Sequence, residues 1–137
     1  TMRVASEADD VTALAREVFA DRVDFHDGDG EITAGVSVHH IGGHSKGLQA
    51  VRVKTARGNV VLASDSAHLY EHLETGKVFP ITYDAADAVK GYAKLKSLAS
   101  SAQHVIPGHD PGVLQRYAAP NSALEGWVAK LDIAPKG

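Results

Sequence analysis

The chain has 137 residues, 44% of them hydrophobic, which is the size of one domain with enough apolar side chains for a packed core. Its formal net charge is −3 and its 14 basic residues are spread along the sequence, so there is no basic stripe and nucleic acid is excluded as an expected partner. The chain has no cysteine, so it forms no disulfides, and any zinc or iron must be held by His, Asp or Glu.

The sequence also contains no apolar run long enough to cross a bilayer, so no membrane partner is expected. The first residues, TMRVASEADD, lack the basic and apolar regions of a secretory signal, which favours a cytoplasmic location. Because Thr1 precedes the first methionine, a signal further upstream remains an open alternative.

The first predicted element is an amphipathic helix over residues 7 to 19. Ser6, followed three residues later by Asp9, resembles a capping box at its start. The apolar positions that follow have helical spacing, and they are Val11, Leu14, Ala15, Val18 and Phe19.

A β-rich region follows, up to about Asp65. The DGDG segment at 27–30 predicts a turn, and an apolar alternation after it predicts a strand pair with one buried face. The alternating apolar positions are Ile32, Ala34, Val36 and Val38. GLQAVRVKT and NVVLAS are two more predicted strands, joined by the turn ARGN. The second is apolar on both faces, which predicts a central strand.

Helical patterns dominate the rest of the chain. Asp84 is a predicted N-cap for a helix whose apolar stripe consists of Ala85, Ala88, Val89, Tyr92, Leu95 and Ala99. QHVIPGHDP predicts a short buried strand, 103 to 106, that ends in a Pro-Gly turn. GVLQRY predicts one helical turn, and NSALEGWVAKL predicts a final helix that starts at Asn121 or Ser122 and is weakened by Gly126.

Three loops place a side chain that can bind metal just after a predicted strand. They are HHIGGHSKG with His44, VVLASDSAHLY with Asp65, and HVIPGHDP with His109. Imidazole and carboxylate groups are suitable ligands for Zn²⁺, Mn²⁺ or Fe²⁺, and a carboxylate can bridge two ions. Taken singly, each has a simpler explanation, because a His in a glycine turn is commonly a surface residue and Asp65 can cap a helix. The occurrence of all three in one short chain favours a shared metal site.

The remaining candidate residues favour structural roles. His39 and His40 point to opposite faces of their strand. One of them can orient His44, although a half-buried structural histidine is the favoured interpretation. His26 lies beside DGDG, whose two carboxylates suggest a calcium site, but the rest of an EF-hand loop is absent from the sequence. His72 and His104 are expected to be exposed.

Three apolar residues of KVFPITYD, namely Phe79, Ile81 and Tyr83, are predicted either to line a substrate pocket or to cover the core.

The segments IGGHSKGLQAVRV, NVVLASDSAHLYE and HVIPGHDP resemble the second half of the metallo-β-lactamase fold, and most closely N-acyl homoserine lactonase-type hydrolases. The similarity covers roughly residues 30 to 118. It implies an α/β fold, namely the C-terminal half of a four-layer αββα sandwich in which helices pack on one face of a mixed sheet.

Carried over by position, the resemblance implies three metal ligands. His44 matches the third His of the first metal site, Asp65 the carboxylate that bridges two metals, and His109 the His of the second site. In the lactonases a tyrosine three residues after the bridging Asp polarises the lactone carbonyl, whereas this chain has His68 there and Tyr70 two residues further on. Either side chain can supply the catalytic donor to the oxyanion, and His68 can alternatively be an extra ligand or the exposed start of a helix.

The HxHxDH loop of this family, which supplies the remaining ligands, does not occur in the sequence. Residues 1–137 therefore resemble the C-terminal half of a metallo-β-lactamase-like domain alone. The sheet of such a half has an uncovered apolar face, so we expect an N-terminal half, or another copy of the domain, as a partner.

The function implied by the resemblance is that of a metal-dependent hydrolase that opens a lactone or ester, a reaction associated with quorum quenching. A hydroxide bridging two divalent ions attacks the carbonyl, with zinc favoured and iron, manganese or cobalt as alternatives. The alternative functions are a glyoxalase II-like thioesterase or another hydrolase of this fold, and a non-catalytic, metal-poor domain. With no GxSxG motif and no cysteine, the chain offers no standard nucleophile for another hydrolytic route.

Overall fold

A computed structural model of the protein describes residues 7–136. In that range the helices are α1 (Ala8–Phe19), α2 (Tyr70–Thr75), α3 (Ala85–Leu98) and α4 (Gly112–Arg116). The strands are β1 (Gly30–Thr33), β2 (Val36–His40), β3 (Gln49–Thr55), β4 (Gly58–Ser64) and β5 (Val105–Pro107). Two short 3₁₀ turns lie at Ala102–His104 and Ser122–Leu124.

The strands form one mixed sheet in the order β1-β2-β3-β4-β5. The pairs from β1 to β4 are antiparallel, and β5 is parallel to β4. A parallel neighbour requires a crossover connection, and the segment that contains α2 and α3 provides it. As a result, the chain leaves β4 and β5 at the same edge of the sheet. The predicted α/β class is confirmed, and β4 is an interior strand as expected.

The main core lies between the sheet and α3. Its buried members include Ala50, Val61, Val105, Tyr92 and Leu95. The predicted N-cap is confirmed, because the Asp84 side chain accepts a hydrogen bond of 3.0 Å from the backbone N–H of Asp87. Val89 was expected in the buried stripe but is 49% exposed. It follows Ala88 by one residue, which turns its side chain about 100° away from the face that packs on the sheet.

The other face of the sheet carries a patch of half-buried valines. Val36 pairs with Val53, and Val38 pairs with Val51. All four are only partly buried. The sequence predicted Val36 and Val38 on the buried face, and this was wrong, since β2 buries Ser37 and His39 instead. An alternating pattern shows that a strand has two different faces, but the position of α3 decides which face is covered.

Two other predicted elements also differ. The hairpin turn lies at Ala34 and Gly35, not at DGDG, because Gly35 adopts the left-handed φ of +83° that a tight turn requires. The final predicted helix is reduced to the turn Ser122–Leu124. Gly126 has a φ of +80°, which ends any helix there, and Trp127 remains 83% exposed.

The predicted first helix is confirmed as α1, while the Ser6 capping box lies outside the described residues. No residue of α1 is buried by the described part of the chain, and Phe19 is 92% exposed. None of the helices within residues 7–136 has the length and apolar character needed to span a bilayer.

A polar network anchors the start of the sheet to α3 through Asp29. Its carboxylate bonds the His39 ring at 2.9 Å, the Lys94 ammonium at 2.8 Å and the backbone N–H of His40 at 2.9 Å. The hydrogen bonds from Lys94 and His39 hold the pKa of the Asp29 carboxyl well below its usual range. The DGDG segment therefore serves as a structural anchor rather than a turn.

Replacing Asp29 with Asn is expected to lower the free energy of unfolding at neutral pH by about 1 kcal/mol, the value of a part-exposed charged hydrogen bond. Since the folded-state pKa lies below the unfolded value of about 3.9, this stabilisation is complete above that pH and is lost as the pH falls through the folded-state pKa. Urea unfolding at several pH values measures the difference. Asp27→Asn, in the same DGDG segment, is the control, because Asp27 is exposed and the network described above is formed by Asp29.

Candidate metal centre

The three loops predicted to carry metal ligands lie at one edge of the sheet. Asp65 directly follows β4, and His109 follows β5 by two residues. Because these strands are parallel neighbours, their following loops begin side by side. Ser64, the last residue of β4, has a left-handed φ of +47°, an unusual conformation for a residue other than glycine that is frequent at functional sites.

Backbone hydrogen bonds fix the Asp65 loop against the His109 loop. The N–H of Gly108 donates to the carbonyl of Ala67 at 3.0 Å, and the N–H of His109 donates to the carbonyl of His68 at 3.0 Å. A Cβ atom at Gly108 would lie 2.6 Å from the carbonyl oxygen of Ser64. Glycine is therefore needed here for close approach of two backbones, which explains the Pro-Gly-His sequence.

Three side chains converge at this edge. Asp65, His68 and His109 each offer one ligand atom, and these atoms all lie within 4.8 Å of one another. His109 Nε2 lies 2.5 Å from Asp65 Oδ1, and His68 Nε2 lies 3.4 Å from the same oxygen. One carboxylate and two imidazoles form a ligand set suited to a divalent transition metal.

The electrostatics of this cluster favour a charged Asp65 and a neutral His68. Burial raises the pKa of the Asp65 carboxyl, but the hydrogen bond with His109 and the charges of the neighbouring imidazoles outweigh this effect and lower that pKa below its usual value. Burial and the charge of His109 lower the pKa of His68 below its usual value. A carboxylate and a neutral imidazole are the protonation states that bind a metal.

His44 lies beside the cluster but outside the group of three. Its ring centroid is 5.6 Å from that of His68. Its Nδ1 lies 2.6 Å from the carbonyl oxygen of Ile81, so Nδ1 carries the hydrogen and donates a hydrogen bond to that oxygen, which leaves Nε2 with the free lone pair. Gly43 supports this loop, because a Cβ there would lie 2.6 Å from Cα of Ala88 in α3.

His68 is held by the segment that precedes α3. The Phe79 ring stacks on the His68 ring, with the centroids 3.7 Å apart and an angle of 19° between the planes. The sequence predicted that Phe79 would either wall a pocket or cover the core, and it is a buried residue that packs directly on this histidine. His68 Nε2 is buried and has no hydrogen-bond partner among the described residues.

Tyr70, the other predicted catalytic residue, lies elsewhere. It is buried in α2 and lines a cavity whose lining, within residues 7–136, does not include Asp65, His68 or His109. The carboxylate of Asp110 accepts hydrogen bonds from the backbone N–H groups of Tyr70 and Gly112. Asp110 thus ties α2 to α4 through backbone N–H groups.

The other histidines have partners away from His44. His39 bonds Ser37 and Asp29, and His40 Nε2 bonds the carbonyl oxygen of Lys46 at 2.7 Å. The carbonyl of Ile81 orients His44 instead, and nothing in the residue type of Ile81 indicates this contact. The predicted exposure of His72 and His104 was wrong, since both are half-buried. His104 bonds Ser101 Oγ and the carbonyl oxygen of Arg57, and the His72 ring packs near Phe79.

Comparison with known proteins gives matches in structure alone. No protein-family model matches the sequence, and no curated protein matches it significantly. An N-acyl homoserine lactone hydrolase, solved with the product N-hexanoyl-L-homoserine at its catalytic metal centre, is 27% identical with a TM-score of 0.57, and the match covers 64% of this chain and 35% of that chain.

Two further solved structures show the same fold at lower identity. The hydrolase AbOPH of the β-lactamase superfamily has a TM-score of 0.59 at 20% identity, over 72% of this chain and 35% of its own. A probable metal-dependent hydrolase from Staphylococcus aureus has a TM-score of 0.56 at 15% identity, over 72% of this chain and 35% of its own. The present chain thus matches about a third of the length of each structure. The expected resemblance to N-acyl homoserine lactonases and to the metallo-β-lactamase fold is confirmed.

Proposed function

We propose that the chain is the C-terminal half of a metallo-β-lactamase-like hydrolase and supplies His44, Asp65 and His109 to a centre of two divalent metal ions, with zinc as the favoured metal. The observation that carries the proposal is the convergence of Asp65 and His109, together with His68, within 4.8 Å at the ends of two parallel strands. The His44 ring lies beside this group, with its centroid 5.6 Å from that of His68. The structural likeness to metal-dependent hydrolases supports the same reaction class.

The ligand atoms of the chain fit such a centre. Asp65 offers two carboxylate oxygens that can bridge two ions, and His109 offers Nε2 beside it. His44 offers Nε2, since its Nδ1–H donates to the Ile81 carbonyl. When bound, the ions polarise a carbonyl oxygen and lower the pKa of water from about 15.7 toward about 7, so no serine or cysteine nucleophile is needed.

We assign the polar contact with the substrate to His68 in preference to Tyr70. His68 Nε2 faces the Asp65 carboxylate, is buried and lacks a hydrogen-bond partner among the described residues. As a neutral imidazole held by the Phe79 ring, it can donate a hydrogen bond to a developing oxyanion or act as an additional ligand. Tyr70 lines the separate cavity described above.

The substrate class of the proposal is a lactone or ester. The support is the solved hydrolase that is 27% identical to this chain and has the product N-hexanoyl-L-homoserine at its metal centre. We further propose that an N-terminal half with an HxHxDH loop completes the ligand set and covers the valine patch formed by Val36, Val38, Val51 and Val53.

The test is performed on the chain together with the segment that carries the HxHxDH loop, whether that segment belongs to the same polypeptide or to a partner. We expect about two zinc ions per assembly and hydrolysis of N-hexanoyl-L-homoserine lactone that EDTA abolishes and zinc restores. A metal-free assembly without activity would establish a non-catalytic domain of this fold. Hydrolysis of a thioester such as S-lactoylglutathione but not of the lactone would favour the glyoxalase II-like alternative.

A further inference from the structure

A cavity of about 390 Å³ is lined in part by residues of α2. It is bounded by α2, the end of α3, β5, α4 and the C-terminal segment, and its lining includes Tyr70, Leu73, Val105, Arg116 and Lys136. None of Asp65, His68 and His109 belongs to this lining in the described range. The volume is within the range of small-molecule sites, which begins at about 300 Å³.

The hydroxyl of Tyr70 is the first sign that this cavity binds something. Tyr70 is 8% exposed, and its hydroxyl is buried with no hydrogen-bond partner among residues 7–136. The neighbouring Tyr117 hydroxyl, in contrast, donates to the Gln103 carbonyl at 2.9 Å and accepts from Arg57 Nη2 at 3.1 Å. Buried polar groups in native proteins nearly always have a partner, so the Tyr70 hydroxyl points to one supplied from outside these residues.

The Tyr70 hydroxyl is protonated at neutral pH and can therefore donate a hydrogen bond. Burial raises the pKa of Tyr70 to about 12, so the side chain keeps its proton at neutral pH. The Arg116 guanidinium lies 3.7 Å from the centre of the Tyr70 ring, where the electrons of the ring face attract a cation. Tyr70, whose hydroxyl is the donor without a partner in the described range, and Arg116 are thus neighbours that both line this cavity.

The charge of the lining favours an anion. The side chains of Lys96, Arg116 and Lys136 contribute three positive charges, and Glu74 contributes one negative charge. None of the three cations forms a salt bridge with the described residues. The remainder of the lining is largely apolar and includes Leu73 and Val105.

We propose that this cavity is a second binding site, separate from the proposed hydrolytic centre, for a small organic carboxylate with an apolar body. Arg116 and the Tyr70 hydroxyl bind the carboxylate, since a guanidinium matches the two oxygens of that group. Leu73 and Val105 contact the apolar part of the molecule. The proposal does not depend on the metal centre, because the two sites share no lining residue in the described range.

The test is a titration of the chain with sodium hexanoate, followed by two-dimensional amide NMR in the presence of EDTA so that no metal takes part. We expect saturable shifts at Leu73, Val105 and Tyr117. Hexanol, which has the same chain length and no charge, is expected to bind at least about 10-fold more weakly, the scale of one lost charged hydrogen bond. Equal binding of hexanol, or the absence of saturable shifts around the cavity, would overturn the proposal.

Two variants identify the groups that bind the carboxylate. Tyr70→Phe and Arg116→Gln are each expected to weaken hexanoate binding about 5-fold, while Tyr83→Phe, which removes the hydroxyl of a tyrosine outside the cavity, leaves it unchanged. Tyr70→Phe is also expected to keep the full free energy of unfolding, because the lost hydroxyl has no partner. Unchanged affinity in both cavity variants would show that neither group binds the ligand and would refute the assignment. Arg116 is exposed, so its variant is expected to fold.

Discussion

Replacing Asp65 with alanine is expected to lower the zinc affinity of the protein by at least about 100-fold, which exceeds the loss of 10- to 100-fold typical of groups that only orient a ligand. Asp65 is the acidic member of the convergent group, and its oxygen lies within 4 Å of nitrogen atoms of both His68 and His109. Without the carboxylate, the remaining imidazoles provide no anion to offset the charge of a cation at this edge.

Isothermal titration with zinc chloride measures the effect, and circular dichroism checks that the variant is folded. Asp27→Ala is the matched control, since Asp27 is an exposed aspartate far along the chain from the cluster and is expected to change neither property. In the complete assembly the same Asp65 variant is expected to lose lactone hydrolysis. If Asp65→Ala binds zinc as tightly as the unaltered protein, the carboxylate is not a ligand and the proposed centre is wrong.

Replacing Gly108 with alanine is expected to damage both stability and metal binding. The added Cβ would lie 2.6 Å from the carbonyl oxygen and 2.7 Å from the carbonyl carbon of Ser64, and a backbone cannot rotate away as a side chain can. Overpacking of this kind costs about 1–3 kcal/mol of unfolding free energy. The forced separation moves His109 away from Asp65, so we also expect zinc affinity to fall by about 10-fold or more.

The control for this variant is Gly47→Ala. Gly47 lies in the loop that follows His44, and a Cβ there would meet no atom within 4 Å. Urea unfolding and zinc titration of the two variants should therefore differ clearly. Equal stability and equal zinc affinity for Gly108→Ala and Gly47→Ala would mean that the contact between the β4 and β5 loops does not position His109.

The positions of Asp65 and His109 in the candidate site could be predicted from the sequence because both residues follow strands. A buried apolar run predicts a strand, and a small-residue turn after it predicts an exit at the edge of the sheet. NVVLAS and HVIP therefore placed Asp65 and His109 at strand ends without any knowledge of three-dimensional contacts. The parallel pairing of β4 with β5 then brought these ends together, as the proposed shared site requires.

The sequence could not distinguish His68 from Tyr70, which are only two residues apart. His68 lies in the loop after β4 and packs on Phe79, whereas Tyr70 is the first residue of α2 and faces the separate cavity. Ile81 shows a related difficulty. Its contact with His44 is made by the backbone carbonyl oxygen, which every residue type has, so the identity of the side chain does not predict it. Such contacts between residues distant in the chain depend on how helices and loops pack on the sheet.

The amino-acid sequence by itself determined the local features of this protein: the β3 and β4 strands, the Asp84 cap of α3, and the glycines that allow close turns beside His44 and His109. These depend on interactions within a few residues, which a local pattern records. Only the tertiary structure decided which face of β2 is buried and where Tyr70 points. An alternating pattern shows that a strand has two different faces but does not show which one is buried. The packing of α3 on one face decides this.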